Sequence, residues 1–295
     1  MGKWHRQVSM LSFEKIEAFR EKGADVDFGA FGENLVVEGF DLSKVPVGTK
    51  FQIGEAILEL TQIGKECHSH CAIYKVMGDC IMPREGVFTR VLKGGEIKAG
   101  DEITMLPLEK DRPFTAAIIT LSDKGAAGER EDKSGPLIQE MLMKEGYDVI
   151  ETLLLPDGEQ PLKHQLMRLA DQRQVNVIFT TGGTGFAERD VTPEATQAVC
   201  DRMAMGIADA IRQYSLSITG RAMLSRAVSG IRKKTLIVNL PGSPKAVKES
   251  LEYVLPHLGH GLGILRGTDG VVSNYADVIA MRHPKEGAPL RASMY

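Results

Sequence analysis

The residues best suited to chemistry form one segment, TTGGTGFAERDVTPEAT, at positions 180–196. Glycine allows positive φ and close approach of the backbone to a ligand, and threonine adds hydroxyl donors. The segment follows a β-type run at 175–179 and precedes a helix expected to begin near Pro193 with Thr192 as N-cap. Helix N-termini favour anions, so a phosphate or pyrophosphate fits this place. The candidate ligand contacts here are Thr181, Gly182, Gly183, Thr184 and Gly185.

Asp190 lies just beyond these glycines and has two interpretations. Its carboxylate could hold a magnesium ion that bridges phosphate oxygens. It could also cap a turn, as aspartate often does, and the glycines alone could simply close a strand–helix connection. The whole segment is more specific than a glycine turn and favours the phosphate site.

Length and composition limit the class of protein. The chain has 295 residues, enough for two domains with separate cores. A net charge of −3 gives no basic footprint for nucleic acid or acidic membranes. We find no apolar run of the roughly 20 residues that a membrane span needs and no secretory signal. Four cysteines, three of them clustered, do not form a disulfide framework. A reducing, cytoplasmic location is expected, without membrane or nucleic-acid partners.

The composition of the chain changes near residues 107–113, a short charged stretch bracketed by prolines that is typical of a linker. Residues 1–108 alternate short β-type runs with glycine turns. Residues 113–267 alternate strands with helices and predict a doubly wound α/β domain with a mostly parallel sheet. Its strands are expected at 115–121, 148–155, 175–179 and 235–240. Ligands of such folds bind beyond the carboxyl ends of the strands, so the loops following these strands should converge.

The second domain closely resembles the Mog-type and MoaB-type molybdopterin adenylyltransferases, which include the gephyrin G domain. Besides the glycine segment, four segments match in order: LSDKGAAGEREDKSGP (121–136), LLLPD (153–157), AMLSRAVSGIR (222–232) and NLPGSP (239–244). The resemblance runs from about residue 114 to about 266. It implies transfer of AMP from Mg-ATP to molybdopterin, with ATP and molybdopterin as substrates and pyrophosphate released. It also implies a homo-oligomer, often a trimer.

This resemblance assigns roles to residues outside the glycine segment. Asp157 and Asp190 occupy the positions of the family's two functionally important aspartates. Asp190 is expected to organise metal and phosphate, and Asp157 to assist nucleotide or metal placement, although Asp157 could instead cap the following helix. The remaining candidate contacts are Ser122, Asp123, Ser134, Ser225, Arg226, Pro241, Gly242 and Ser243. Arg189 could meet phosphate or pair with Glu188.

The first domain resembles a MOSC domain, a β-rich module expected to form a barrel. The matching residues are FGENLVVEGFDL (31–42), VPVGTKFQIGEAILELTQIGKEC (45–67) and GDCIMPREGVFTRVLKGGEIKAGDEI (78–103). Such modules are thought to handle sulfur or the molybdenum cofactor through a cysteine, and thiolate suits both. Cys67 is favoured, then Cys71, then Cys80. Alternatives are a zinc site in Cys67–Cys71 with His68 and His70, or buried, incidental cysteines. Cys200 is expected in a helix core.

MOSC domains usually begin further upstream, so either the start of the chain is misassigned or the barrel lacks its first strands, which would expose unpaired strand edges. Residues 268–295 carry no recognisable motif and are assigned to a tail. The whole is interpreted as a molybdenum-cofactor biosynthesis protein, with a molybdate-insertion protein or molybdoenzyme as partner. The alternative is a non-catalytic, molybdopterin-binding scaffold. The sequence does not separate molybdenum from tungsten.

Overall fold

The computed structural model describes residues 4–67, 71–109, 111–267 and 290–294, the last of these for their backbone only. The chain divides into two compact units between Lys110 and Asp111. The strand Leu290–Met294 belongs to the first unit, although it follows the second in sequence.

The first unit is a closed barrel whose strands are ordered β1-β2-β13-β6-β3-β4-β5. The strands are β1 (Val8–Ser12), β2 (Leu35–Glu38), β3 (Lys50–Ile53), β4 (Ala56–Ile63), β5 (Val87–Lys93), β6 (Glu102–Leu106) and β13 (Leu290–Met294). Helices α1 (Phe13–Arg20), α2 (Ala72–Met77) and α3 (Met82–Glu85) connect them. Inward residues such as Phe51, Leu58 and Leu60 fill the interior, as the alternation along β3 and β4 predicts.

The carboxyl-terminal strand corrects two expectations. Sequence analysis assigned residues 268–295 to a tail, but Leu290–Met294 pairs antiparallel with both β2 and β6. The expected unpaired edges are therefore absent from this barrel as described, because β13 lies between the two strands that would otherwise be edges. A strand of five residues far from its partners in sequence carries too little periodicity to be found without them. Residues 268–289 lie outside the described residues.

The second unit is a six-stranded sheet ordered β10-β11-β12-β9-β7-β8. The strands are β7 (Thr115–Leu121), β8 (Asp148–Leu155), β9 (Val177–Thr181), β10 (Arg202–Met203), β11 (Ser229–Arg232) and β12 (Thr235–Leu240). Strands β8, β7, β9 and β12 are parallel, while β10 and β11 add an antiparallel edge. The predicted mostly parallel α/β fold is confirmed, and β9 begins two residues later than expected.

Helices cover both faces of this sheet. They are α4 (Asp123–Ala126), α5 (Ser134–Lys144), α6 (Glu159–Met167, continued by a π-helical segment, Arg168–Gln172), α7 (Thr192–Val199), α8 (Met205–Leu216) and α9 (Pro244–Arg266). One core lies between the sheet and α5, α8 and α9, and the other between the sheet and α6 and α7. Because both faces are covered, β7, β9 and β12 are almost continuously apolar and buried. Cys200 lies just after α7 and is only half-buried, not inside a helix as expected.

Asn239 ties the carboxyl ends of β12 and β9 to α7. Its Nδ2 donates to the hydroxyls of Thr180 and Thr196, both at 2.9 Å, and its Oδ1 accepts from the Val228 N–H at 3.2 Å. All of these groups are buried, so the hydrogen bonds among them take the place of hydrogen bonds to water.

Replacing Asn239 with leucine should therefore lower the free energy of unfolding by about 2–4 kcal/mol, because three buried polar groups lose their partner. Urea unfolding followed by circular dichroism measures this change. A loss below about 1 kcal/mol would show that the network contributes little to the stability of this sheet edge.

Candidate functional site

The loops that follow β7, β8, β9 and β12 meet at one edge of the sheet. The Thr181 hydroxyl donates to the Pro241 carbonyl at 2.6 Å, and the Ser134 hydroxyl donates to the Gly242 carbonyl at 3.0 Å. These two bonds fasten the loop after β12 to β9 on one side and to α5 on the other. Both hydroxyls are buried, so they hold the loops together from within.

The glycine segment has no room for side chains at Gly182 and Gly183. Gly182 has φ +97°, and a Cβ there would lie 2.4 Å from the Leu121 carbonyl oxygen. Gly183 has φ +63°, and a Cβ there would lie 2.4 Å from the Thr192 hydroxyl. Both positions therefore require glycine, because their φ is positive and because a Cβ would clash with neighbouring atoms.

Thr192 locks the same turn. Its hydroxyl donates to the Gly182 carbonyl at 2.9 Å and its N–H donates to the Gly183 carbonyl at 3.1 Å. Thr192 is the first residue of α7, and the N-cap is Val191, so the predicted N-cap is wrong by one residue. The threonine side chain points back at the loop because that loop has carbonyls to satisfy.

Asp123 and Asp157 bind each other's backbone. The Asp123 N–H donates to Asp157 Oδ2 at 3.2 Å, and the Asp157 N–H donates to Asp123 Oδ1 at 2.9 Å. Arg189 Nη1 lies 3.8 Å from Asp123 Oδ2, so this arginine lies beside Asp123; pairing with Glu188 was one of its two predicted alternatives. Burial raises the pKa of the Asp157 carboxyl, and the nearby carboxylates of Asp123 and Asp190 raise it further. The carboxylates of Asp123, Asp157 and Asp190 therefore concentrate negative charge, which the guanidinium of Arg189 offsets only in part.

Replacing Asp157 with asparagine is expected to raise the melting temperature at neutral pH. A carboxyl whose folded-state pKa is raised loses stability as pH rises through its unfolded and then its folded pKa. The amide keeps an acceptor for the Asp123 N–H but removes the charge. The stabilisation should be greatest at neutral pH. It should disappear near pH 4, because the aspartate carboxyl of the unfolded chain, with a pKa of about 3.9, is then becoming protonated as well. Thermal unfolding at both pH values tests this; Asp148→Asn, at the opposite end of β8, is the matched control. A lower melting temperature at neutral pH would contradict it.

Asp190 and Arg226 shape the outer part of the glycine segment. Asp190 Oδ2 accepts the Ala187 N–H at 2.9 Å, so the turn-capping interpretation is realised in the structure. Arg226 donates to the carbonyls of Gly185, at 2.6 Å, and Asp190, and it pairs with the Glu194 carboxylate. The guanidinium thus clamps the segment from outside.

A cleft of about 410 Å³ opens beside this clamp. It is lined by Phe186, Ala187, Glu188, Asp190, Val191, Glu194 and Arg226. Phe186 is 71% exposed, and an exposed ring can stack on a flat ligand. Sequence analysis did not select Phe186 or Glu194; the signal for Phe186 was an aromatic residue inside a glycine-rich turn.

Several of the predicted ligand contacts form hydrogen bonds within the protein, to its backbone. The Ser122 and Ser243 side chains cap α4 and α9 by accepting the N–H groups of Gly125 and Ala246. Thr184 is buried, and its carbonyl accepts the Arg226 N–H at 3.0 Å. Ser225 is half-buried. Gly242 approaches the glycine turn closely, since a Cβ there would lie 3.5 Å from Gly182 Cα. Their part in ligand binding stays a prediction.

The cysteines of the first unit lie between β4 and α3. Cys67 and Cys71 are exposed and Cys80 is buried. Among the residues that the structure describes, no group of three or more histidines, cysteines and carboxylates is arranged to hold a metal ion. The zinc hypothesis also involved His68 and His70, which lie outside the described residues. In the described part of the chain, no helix is long and apolar enough to cross a membrane.

Known proteins resemble the two units separately. A family model described as a probable molybdopterin binding domain matches residues 117–260, and a MOSC domain model matches residues 1–104. The molybdopterin adenylyltransferase of Haemophilus influenzae is 44% identical over 147 residues, which are 49% of this chain and 75% of that protein. The one from Helicobacter pylori (strain 26695) is 39% identical over 152 residues, 51% of this chain and 86% of that protein.

A solved structure agrees with the sequence matches. The molybdopterin biosynthesis enzyme MoaB from Thermus thermophilus is 46% identical, with a TM-score of 0.50, and the match covers 52% of this chain and 97% of that one. The converging loops, the glycine turn and these relatives all fall in the second unit. The chain therefore belongs to the molybdopterin adenylyltransferase family through its second unit, which is fused to a MOSC domain.

Proposed function

We propose that the second unit transfers AMP from Mg-ATP to molybdopterin, giving adenylyl-molybdopterin and pyrophosphate. The observation that carries this proposal is the convergence of the loops at one sheet edge, where Asp123 and Asp157 are bonded to each other beside Gly183. The relatives named as molybdopterin adenylyltransferases support it.

The chemistry needs alignment more than a reactive side chain. An oxygen of the terminal phosphate of molybdopterin attacks the α-phosphorus of ATP, and the bond from that phosphorus to the bridging oxygen breaks, so pyrophosphate leaves. A phosphate is already anionic at neutral pH and needs no base. Catalysis of this kind rests on positioning and on charge stabilisation.

The residues present fit a magnesium ion. Asp157 has a raised pKa because it is buried and because Asp123 and Asp190 carry like charge nearby, and a cation would relieve this repulsion. Magnesium commonly takes one or two carboxylates and completes its shell with water and substrate phosphates. We assign Asp190 as its ligand, with Asp157 assisting nucleotide or metal placement. Bound there, the ion would screen the charge of the phosphates.

The remaining residues would bind and orient the substrates. The glycine turn at 182–185 offers backbone N–H groups to phosphate oxygens. Arg226 keeps that turn in place through Gly185 and Asp190. The exposed ring of Phe186 would stack on a flat pterin or adenine ring, and Pro241, Gly242 and Ser243 would contact the substrate from the loop after β12. Asp123, Ser134 and Ser225 would complete the contacts.

We infer further that the chain is a cytoplasmic homo-oligomer, a trimer by resemblance. Exposed apolar side chains cluster along the end of α8 and the turn that follows, which suits a protein contact: Leu216, Ile218, Met223 and Leu224 are 42–67% exposed. The first unit is proposed to handle sulfur or the molybdenum cofactor through its cysteines, before transfer to a molybdate-insertion protein or molybdoenzyme.

Pyrophosphate release tests the proposed activity. Release should require ATP, molybdopterin and magnesium together, and it should stop on chelation of the metal and resume when magnesium is restored. As a control, Asp148→Ala, at the opposite end of β8 from the candidate site, should release pyrophosphate as fast as the wild type. Binding of molybdopterin without any release would instead support the scaffold function.

A further inference from the structure

Three aspartates of the candidate site, Asp123, Asp157 and Asp190, form what we call the carboxylate cluster. Each of them uses one oxygen to accept a backbone N–H. Asp123 Oδ1 accepts from Asp157 at 2.9 Å, and Asp157 Oδ2 accepts from Asp123 at 3.2 Å. Asp190 Oδ2 accepts from Ala187 at 2.9 Å. One oxygen of each carboxylate therefore holds a loop, and the second oxygen is the one that a cation can contact.

The carboxylate cluster borders the glycine turn that we propose binds phosphate. A Cβ on Gly183 would lie 3.7 Å from Asp157 Oδ1, and a Cβ on Gly185 would lie 2.8 Å from Asp190 Oδ2. Phosphates placed against this turn would lie close to carboxylates of like charge, and such repulsion is strong where water is excluded. Binding of a nucleotide here therefore requires positive charge beside the turn.

Arg189 supplies positive charge at this place. Its Nη1 lies 3.8 Å from Asp123 Oδ2, the oxygen that does not accept the Asp157 N–H. The Arg189 and Asp123 side chains are 67% and 47% exposed. Exposed ion pairs are weak, and a side chain surrounded mostly by water turns freely, so Arg189 can leave Asp123 at little cost.

Arg226, the other arginine beside the glycine segment, is held more firmly. It donates to the carbonyls of Gly185 and Asp190 and pairs with the Glu194 carboxylate. Its guanidinium supports the loop from these three partners. Arg189 makes one long contact instead, and a planar guanidinium suits two phosphate oxygens at once.

We propose that Arg189 changes partner during binding: it neutralises Asp123 until a divalent cation binds to the carboxylate cluster, and it then pairs with a phosphate of the nucleotide. This inference rests on the adenylyl transfer proposed for the second unit and adds a positioning residue to it. Divalent cations such as magnesium prefer carboxylate oxygens. Arg189 and the cation therefore compete for the same carboxylates, whereas Arg189 and the nucleotide attract each other.

Substituting Arg189 should shift the affinities for the two ligands in opposite directions. Arg189→Gln removes the competing charge, so Mn²⁺ alone, the probe for the cation, should bind about two- to fivefold tighter. The same variant lacks the guanidinium that meets the phosphate. An ATP analogue that cannot be cleaved should therefore bind about tenfold weaker in the presence of Mn²⁺. Loss of a merely structural side chain would weaken both.

The experiment uses the full-length chain. Electron paramagnetic resonance of free Mn²⁺ measures the affinity for the cation alone, and calorimetry at saturating Mn²⁺ measures the affinity for the analogue. Arg189→Lys separates charge from shape: it should restore the wild-type Mn²⁺ affinity but only part of the analogue affinity, because an ammonium lacks the planar fork. In a chain that carries Asp123→Asn, Arg189→Gln should no longer tighten Mn²⁺ binding, because the shared partner is neutral.

Lys124→Gln is the matched control. It also removes one positive charge from an exposed residue, next to Asp123 in sequence, and it should leave both affinities within about twofold of the wild type, because water and salt screen exposed charges. Circular dichroism confirms that each variant is folded.

Two results would overturn this inference. One is an Arg189→Gln variant that binds Mn²⁺ no tighter than the wild type, including the case in which neither chain binds the cation alone. The other is an unchanged affinity for the ATP analogue. Adenylyl transfer itself stands in both cases if pyrophosphate release still requires ATP, molybdopterin and magnesium. A wild-type chain that binds no analogue and releases no pyrophosphate would overturn the proposed function as well.

Discussion

Replacing Asp190 with asparagine is expected to lower the rate of pyrophosphate release by about 100-fold or more, with the melting temperature within about 2 °C of the wild type. The amide oxygen can still accept the Ala187 N–H that Asp190 Oδ2 accepts at 2.9 Å, so the turn should persist. What disappears is the charge that we propose holds the magnesium ion. Steady-state kinetics with a magnesium titration measure the effect.

The contrast between Asp190→Asn and Asp190→Ala separates the two roles of this residue. Alanine removes both the charge and the turn bond, so it should lose stability as well as rate. If asparagine retained full activity, Asp190 would be a turn residue only and the metal assignment would fail. The matched control Asp148→Asn, at the far end of the sheet, should leave both the rate and the magnesium dependence unchanged.

Replacing Gly182 with alanine is expected to abolish measurable pyrophosphate release and to lower the free energy of unfolding by about 2–4 kcal/mol. At φ +97° an added Cβ is strained, and it would lie 2.4 Å from the Leu121 carbonyl oxygen. That oxygen belongs to the end of a central strand and moves little, so the glycine turn must shift. The backbone amides that we propose bind phosphate would then point elsewhere. Chemical unfolding and binding of an ATP analogue measure both effects.

Gly206 supplies the control for that substitution. It lies in α8, and a Cβ there would meet no heavy atom within 4 Å. Gly206→Ala should therefore leave activity unchanged and stabilise the chain slightly, by about 0.5–1 kcal/mol. Normal activity in Gly182→Ala would show that the turn does not present its amides to the substrate.

The sequence located three strands of the second unit closely; β7 and β12 are buried on both faces, whereas β8 is a half-exposed edge strand. Thr115–Leu121, Asp148–Leu155 and Thr235–Leu240 have the bounds that their apolar runs predict. The shift of β9 by two residues has a physical cause. Thr180 and Thr181 look like loop residues, yet both are buried in the strand. The Thr180 hydroxyl accepts from Asn239 Nδ2, and the Thr181 hydroxyl donates to the Pro241 carbonyl.

The residues of the candidate site were harder to predict in detail. Serine and threonine look like ligand contacts from their chemistry, but Ser122 and Ser243 cap helices and Ser134 and Thr181 hold neighbouring loops. Whether a hydroxyl faces a ligand or a carbonyl depends on which loop lies opposite. Arg226 has the same ambiguity: its guanidinium meets Gly185 and Asp190 from 36 or more positions away in sequence.

By itself, the sequence determined the two-part organisation of the chain, the α/β class of the second unit and its family, because ordered motifs and strand periodicity are local properties. Only the tertiary structure decided which groups meet. It placed Asp157 against Asp123 and Arg189 beside Asp123. It also placed the last strand, Leu290–Met294, between β2 and β6. Such contacts join residues distant along the chain, and they form because backbone and charged groups removed from water must find partners wherever the fold offers them.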